Sequence, residues 1–299
     1  MTSMNSVRCS LGIMAHNEEA NIGRLLARVL ASRLERVEIV EIIVVASGCT
    51  DRTEAIVREA ATSDGRICLI SQPTREGKAS AMNLFIQYAS CDVLVLSSAD
   101  LLPEENAIER LVLPFADPDI GITASRPEPV NDPATFMGFA AHLLWDLHHR
   151  MNLQGFKAGE MIAFRKVFTR IPPYTAVDEA SVEPLIRGQG YHVLYVPEAI
   201  VFNKGPETVA DFLRQRRRIY AGHLEMRDRL GYSVSTMSGG KIAGLLLRHL
   251  DWHPKQFFWT WRVVVLEIYG RYLGRQDYKS RRSHTVWEIA ATTKELQPK

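Results

Sequence analysis

Glu41-Ile42-Ile43-Val44-Val45-Ala46-Ser47-Gly48-Cys49-Thr50-Asp51 is an apolar, β-branched run that stops on hydroxyl, glycine and acid. Asp92-Val93-Leu94-Val95-Leu96-Ser97-Ser98-Ala99-Asp100 follows the same plan. Each reads as a strand buried on both faces, as in the middle of a parallel sheet. Ligands of open parallel sheets collect beyond the carboxyl ends of the strands, so the polar residues that end these runs are where chemistry is expected. Asp100 is the sharper signal: a carboxylate closing a wholly apolar strand can hold a divalent cation against a diphosphate. Its plainer reading is a turn or N-cap carboxylate.

Working outward, the hydrophobic pattern predicts strands over 8–15, 39–46, 67–71 and 93–97, alternating with helices over 20–31, 53–61 and 78–88. Such βαβ alternation implies an α/β fold with a parallel sheet and right-handed crossovers, whose commonest use is nucleotide binding. After Asp100 the pattern loosens into helices over 105–116, 133–151 and 182–187 and strands over 120–125, 161–165 and 191–196. A long helix then opens within 205–211, where Thr208 and Asp211 make a capping-box-like start. The organisation expected is one α/β domain over 1–205, with a nucleotide half (7–101) and an acceptor half (102–205), then a helical region over 206–299. Ser238-Gly239-Gly240 reads as a hinge.

A formal net charge of +2 argues against wholesale nucleic-acid binding. The four cysteines, Cys9, Cys49, Cys68 and Cys91, lie in or beside predicted strands without metal-ligand spacing, so buried free thiols in a reducing compartment are expected. Residues 1–7 are polar, without the apolar core of a signal peptide, so a cytoplasmic protein is expected. No uncharged stretch is long enough to span a membrane. The nearest, 257–269, is broken by Arg262 and Glu267 and followed by Arg271, Arg275, Lys279, Arg281 and Arg282. It reads either as an interfacial helix at the inner face of a membrane or as a surface packed on the main domain or on a second subunit of a homo-oligomer. Walker A, Gly-x-Gly-x-x-Gly, Cys-x-x-Cys and Gly-x-Ser-x-Gly patterns are all absent from the sequence.

Ala15-His16-Asn17-Glu18-Glu19, the segment 44–51, Arg75-Glu76-Gly77-Lys78 with Asn83 behind it, and Ser98-Ala99-Asp100 occur in that order. Asp178-Glu179 follows, trailed by Gly190-Tyr191 and Tyr195-Val196-Pro197, and then Gln215-Arg216-Arg217-Arg218-Ile219. The series resembles the large inverting glycosyltransferase family two, in particular its polyprenyl-phosphate and small-acceptor members. The resemblance implies a GT-A fold, Rossmann-like with a mostly parallel sheet flanked by helices, and a C-terminal helical extension. It also implies a nucleotide-sugar donor of UDP or GDP type, Mg²⁺ or Mn²⁺, and transfer of one sugar to a lipid-linked or small-molecule acceptor. Ala15, Asn17, Glu18, Ala46, Ser47, Gly48, Arg75, Gly77, Lys78, Ser98, Ala99, Gln215 and Arg218 would then surround the donor, with Asp100 at the metal. Asp178 or Glu179 would be the base. Three departures stand out: Ala46 replaces the carboxylate that usually accepts from uracil, Ser98 replaces the first Asp of Asp-x-Asp, and Ile219 replaces the Trp of processive members.

The residue types support the same chemistry. A departing nucleoside diphosphate needs cations or oriented N–H groups, which Arg75, Lys78 and the flexible backbone at Gly48 and Gly77 can supply. Inversion needs one carboxylate to take the acceptor's proton, although Asp178, Glu179 and Glu183 also read as a helix-start acidic cluster. His223 is a second candidate metal ligand, compensating for Ser98, or else a packing residue. The Arg214, Arg216, Arg217 and Arg218 cluster reads as a phosphate site or a solvated helix flank, and His148 and His149 as helix-surface or packing residues. Two other functions fit the same plan: a nucleotidyltransferase releasing pyrophosphate, and a non-catalytic nucleotide-binding protein.

Overall fold

In the computed structural model, which describes residues 6–172, 177–232, 239–282 and 291–293, the two apolar runs form strands of one sheet, on either side of the first strand. Its strands are β1 (Val7–Ala15), β2 (Val37–Ser47), β3 (Ile67–Gln72), β4 (Val93–Ser98), β5 (Leu102–Pro103), β6 (Ile120–Pro129), β7 (Ile162–Arg165) and β8 (His192–Asn203). The helices are α1 (Ile22–Leu30), α2 (Thr53–Ser63), α3 (Lys78–Tyr88), α4 (Ala107–Val112), α5 (Phe136–Asn152), α6 (Asp178–Arg187), α7 (Val209–Leu230), α8 (Gly239–Arg248) and α9 (Pro254–Lys279). Spatial order in the sheet is β3-β2-β1-β4-β7-β6-β8-β5.

The first four strands in that order pair in parallel. Successive side chains alternate between two cores, as expected of strands covered on both faces. Ile42, Val44, Val93 and Val95 face the core shared with α1 and α4, whereas Ile43, Val45, Leu94 and Leu96 face the one shared with α3 and α6. The second half is mixed. β7 runs antiparallel to both β4 and β6, β6 pairs in parallel with β8, and β5 pairs antiparallel with β8. β8 also extends beyond the expected end at 196, because Pro197 falls where the β6 ladder shifts register and no N–H donor is needed.

All four cysteines are free, but only Cys9 and Cys91 are buried; Cys49 is half-buried and Cys68 exposed. Cys68 lies on β3, the edge strand, where half of each pleat meets solvent. Gly239 and Gly240 open α8 rather than a flexible connection, and Ser238 lies outside the described residues.

Thr208 caps α7 by accepting from the Asp211 N–H at 3.1 Å. The Asp211 carboxylate turns to Arg214 (2.7 Å) and Thr292 (2.7 Å), so only half of the capping box forms. α7 packs along α9 through charge pairs. Arg216 and Arg271 both meet Glu267 (2.6 and 2.9 Å), and Arg217 pairs with Asp277. Arg216 and Arg217 are therefore not a solvated flank; they fasten one helix to the next. Val263 and Leu266 of α9 join Phe212 and Met137 in a small core, while Phe258, Trp261, Val265, Ile268, Tyr269 and Tyr272 stay exposed. Among the described residues, no helix is long and apolar enough to cross a membrane.

Gly274 sets the closest approach: a Cβ there would lie 2.5 Å from the Arg217 carbonyl and 3.0 Å from Tyr220. Gly274→Val is expected to cost about 3 kcal/mol, because backbone cannot yield without parting the helices. Urea unfolding checks this against Gly65→Ala, where no neighbour lies within 4 Å; that change should stay within about 0.5 kcal/mol.

Candidate active site

The loops after β1, β2 and β3 are tied to one another. Asn17 adopts φ 52°, and its side-chain carbonyl accepts from the Thr50 N–H at 2.8 Å. The Glu18 N–H donates to Thr53 (2.7 Å) and its carboxylate accepts from Asn21 (2.9 Å), while His16 Nδ1 donates to the Ser47 carbonyl (2.6 Å). Gly48 sits at φ 59°, where a Cβ would come within 2.5 Å of the Arg75 nitrogen, so glycine lets the two loops touch.

These loops form the floor of a cavity of about 1140 Å³. From the sheet edge come Ala15, Glu18, Ser47, Arg75, Gly77, Lys78, Ser98 and Asp100; α6 adds Asp178 and Glu179, and α7 adds Gln215, Arg218 and His223. Asn17, Ala46, Gly48 and Ala99, expected around the donor, do not line it. Asn17 is taken up in holding the loops together. Gly48 packs on the chain at Arg75, and Ala46 and Ala99 are buried in the sheet layer.

Lys78 stands at the start of α3, donating to Ser98 Oγ at 2.6 Å and pairing with Glu179. Burial lowers its pKa, but Glu179, Asp178 and Glu160 outweigh burial and the net shift is upward. Asp178, in the first turn of α6, is 1% exposed, and its Oδ1 has no hydrogen-bond partner among the described residues. Burial first, and then Glu179, push its carboxyl above the usual range, against the pull of Lys78 and Arg218. His223 is buried, and its Nδ1 has no hydrogen-bond partner among the described residues. Burial, then the charges of Lys157, Arg216, Arg271 and Arg218, hold it well below its ordinary pKa, so the ring is neutral.

Two ionisable residues of this cavity, Lys157 and Glu160, are not among those the sequence points to. Burial, then repulsion from Glu179 and Asp100, raise Glu160 to about 7; burial, then Arg216, lower Lys157 to about 8. The carboxyl ends of parallel strands are where polar residues signal a site, but β7 is antiparallel to β4, so its amino end reaches the ligand edge. A Lys157-Ala158-Gly159-Glu160 segment ahead of the apolar run Met161-Ile162-Ala163-Phe164 is the available signal. His148 is likewise no surface residue: it is buried, lines the cavity and meets the Trp145 ring edge-on. His149 packs on β8, sharing a 2.7 Å hydrogen bond with the Tyr195 hydroxyl.

Residues 10–185 match the family model described as Glycosyl transferase family 2. The chain belongs to that family. Among sequence relatives of this family-2 chain are the poly-beta-1,6-N-acetyl-D-glucosamine synthase of Staphylococcus aureus (strain COL), 26% identical over 231 residues, and the probable glycosyltransferase YdaM of Bacillus subtilis, 27% identical over 237. Each alignment covers 72% of this chain, and 54% and 55% respectively of the relatives, so the chain spans about half the length of the relatives it matches. The mannosyltransferase PcManGT from Pyrobaculum calidifontis, in complex with GDP-Man and Mn²⁺, superposes with a TM-score of 0.60 at 20% identity, covering 96% of this chain and 86% of that one. Glucosyl-3-phosphoglycerate synthase from Mycobacterium tuberculosis, in complex with Mn²⁺, UDP and phosphoglyceric acid, gives 0.52 at 21% identity, covering 76% and 80%. The architecture is the GT-A fold, a mostly parallel mixed sheet flanked by helices, with a helical C-terminal region.

Proposed function

We propose that the protein transfers one sugar, with inversion, from a nucleoside-diphosphate sugar to a lipid-linked or small-molecule acceptor, using a divalent cation. One observation carries this reading: Asp178, a buried carboxylate with an unpartnered oxygen, lines the same cavity as Asp100 and His223. Asp178 is the better base of the acidic pair. Its raised pKa brings proton affinity nearer neutrality, whereas Glu179 is engaged by Lys78. Asp178 would take the proton of the acceptor hydroxyl; Lys78 and Arg75 would face the departing diphosphate.

The residues at hand fit a cation. Asp100 offers a carboxylate and His223 a neutral imidazole with a free nitrogen, a donor set that suits Mn²⁺. Among the described residues no group of three His, Cys, Asp or Glu side chains is placed to hold an ion. The remaining positions would fall to water and diphosphate oxygens, which is usual for Mg²⁺ and Mn²⁺ at phosphates. When bound, the cation neutralises charge on the leaving group. The exposed aromatics of α9, with Lys255, Arg262 and Arg275 beside them, favour an acceptor presented at a membrane interface.

Thermal unfolding with UDP, GDP and other nucleoside diphosphates, with and without Mn²⁺, tests the donor site. The cognate nucleotide at a hundredfold its Kd is expected to add about 2.7 kcal/mol of stability, and only with metal. Silence from every nucleotide would reject the reading. Release of pyrophosphate would instead favour a nucleotidyltransferase, and binding without turnover a non-catalytic protein.

A further inference from the structure

The cavity is larger than the roughly 1,000 Å³ that bounds most small-ligand pockets, and its two ends differ in character. Beyond the catalytic residues it continues between α5, α8 and α9, where Leu144, Leu147, Met151, Ala243, Leu246 and Val264 form an apolar wall. That arm reaches the surface: Leu247, Trp261 and Ile268 line the cavity and are nonetheless 60%, 43% and 62% exposed. Where the arm meets the catalytic end, Lys157, Arg216 and Arg271 stand against two carboxylates, Glu267 and Glu160, while Glu183, the other acid acting on Lys157, is paired with Arg187. Lys157 has no carboxylate within ion-pairing distance among the described residues, and the local sum is an excess of positive charge. Sequestered cations without counter-charge are costly, so this junction is complementary to an anion.

We infer that this arm is the acceptor's own site and takes a phosphorylated hydrocarbon chain, the phosphate at Lys157 beside the Arg216–Glu267–Arg271 cluster and the chain between α5, α8 and α9. The inference rests on the glycosyl-transfer reading and selects the lipid class of acceptor within it. A small polar acceptor has no use for the apolar wall. The mouth at Trp261 and Ile268 opens on the exposed aromatic face of α9, so a chain held in a bilayer enters without crossing water.

The test uses the full chain and butyl, octyl and decyl phosphate below their micellar concentrations, with inorganic phosphate as the reference, read by calorimetry. Affinity is expected to climb about fourfold per added methylene until the arm is filled. Lys157→Met should weaken every alkyl phosphate about tenfold. Ala243→Trp should flatten the chain-length dependence without changing inorganic phosphate binding; Val264→Phe serves if that variant does not fold. Affinity independent of chain length would overturn the inference, as would displacement of the alkyl phosphate by nucleoside diphosphate with Mn²⁺, which would make the anion site part of the donor pocket. The metal-dependent nucleotide shift is measured on the same samples, so a failed acceptor site and a failed donor site give different results.

Discussion

Asp178→Asn is expected to lower kcat by about 10³-fold while leaving donor binding unchanged. A positioned general base contributes roughly 10²–10⁴-fold, and asparagine keeps the shape of the side chain but cannot accept the proton. A neutral amide at this position also removes a strained ionisation. Because burial and Glu179 raise the Asp178 pKa above its unfolded value, its ionised form destabilises the native state increasingly as pH rises from the unfolded pKa through the folded one. Asp178→Asn should therefore unfold at a higher temperature than the parent at pH 8, with the difference vanishing in acid. Loss of rate together with gain of stability separates a missing base from a damaged fold. In the parent, kcat should fall as pH drops through the raised pKa, an acid limb above the ordinary carboxylate range. Unchanged kcat in Asp178→Asn would move the role to Glu179 or Glu160, which share the cavity.

Asp100→Asn is expected to lower kcat/KM by about 10²–10³-fold and to raise the Mn²⁺ concentration needed for half-maximal rate. Removing one preorganised electrostatic partner of a developing charge costs on that order elsewhere. The effect should be steep here because Ser98, the neighbouring position, already binds Lys78 rather than contributing a second carboxylate. If Asp100 and His223 are the protein's donors, as proposed, losing Asp100 would leave His223 alone. Rates titrated against Mn²⁺ provide the measurement; an unaltered metal dependence would remove Asp100 from the site.

Much of the parallel half of the sheet was legible in the sequence because its signals are local. The runs ending at Asp51 and Asp100 carry both their burial and their polar terminus within a few residues, and β2 and β4 form where the pattern put them. Ala15, Ser47, Lys78 and Asp100 lie at the cavity for the same reason. The antiparallel insertion of β7 was not legible, since strand direction depends on partners far along the chain, and with it went Lys157 and Glu160. Ala46 and Ala99 show the converse error. They belong to motifs at the sheet edge, yet both side chains are buried: Ala46 by strand alternation, Ala99 in the turn just past β4, where its N–H donates to the Met14 carbonyl. The arginines of α7 look alike in sequence and all four line the cavity; that Arg216 and Arg217 are also tied to α9 follows from helix packing alone.

The interlock of α7 with α9 bears on how this enzyme class can be cut and recombined. A fragment ending at residue 205 would keep the whole sheet but forfeit Gln215, Arg218 and His223, and one ending after α7 would leave Arg216 and Arg217 without their anchors. The smallest transplantable unit thus ends no earlier than Lys279, and a chimera that exchanges the tail to alter acceptor choice must carry both helices as a matched pair.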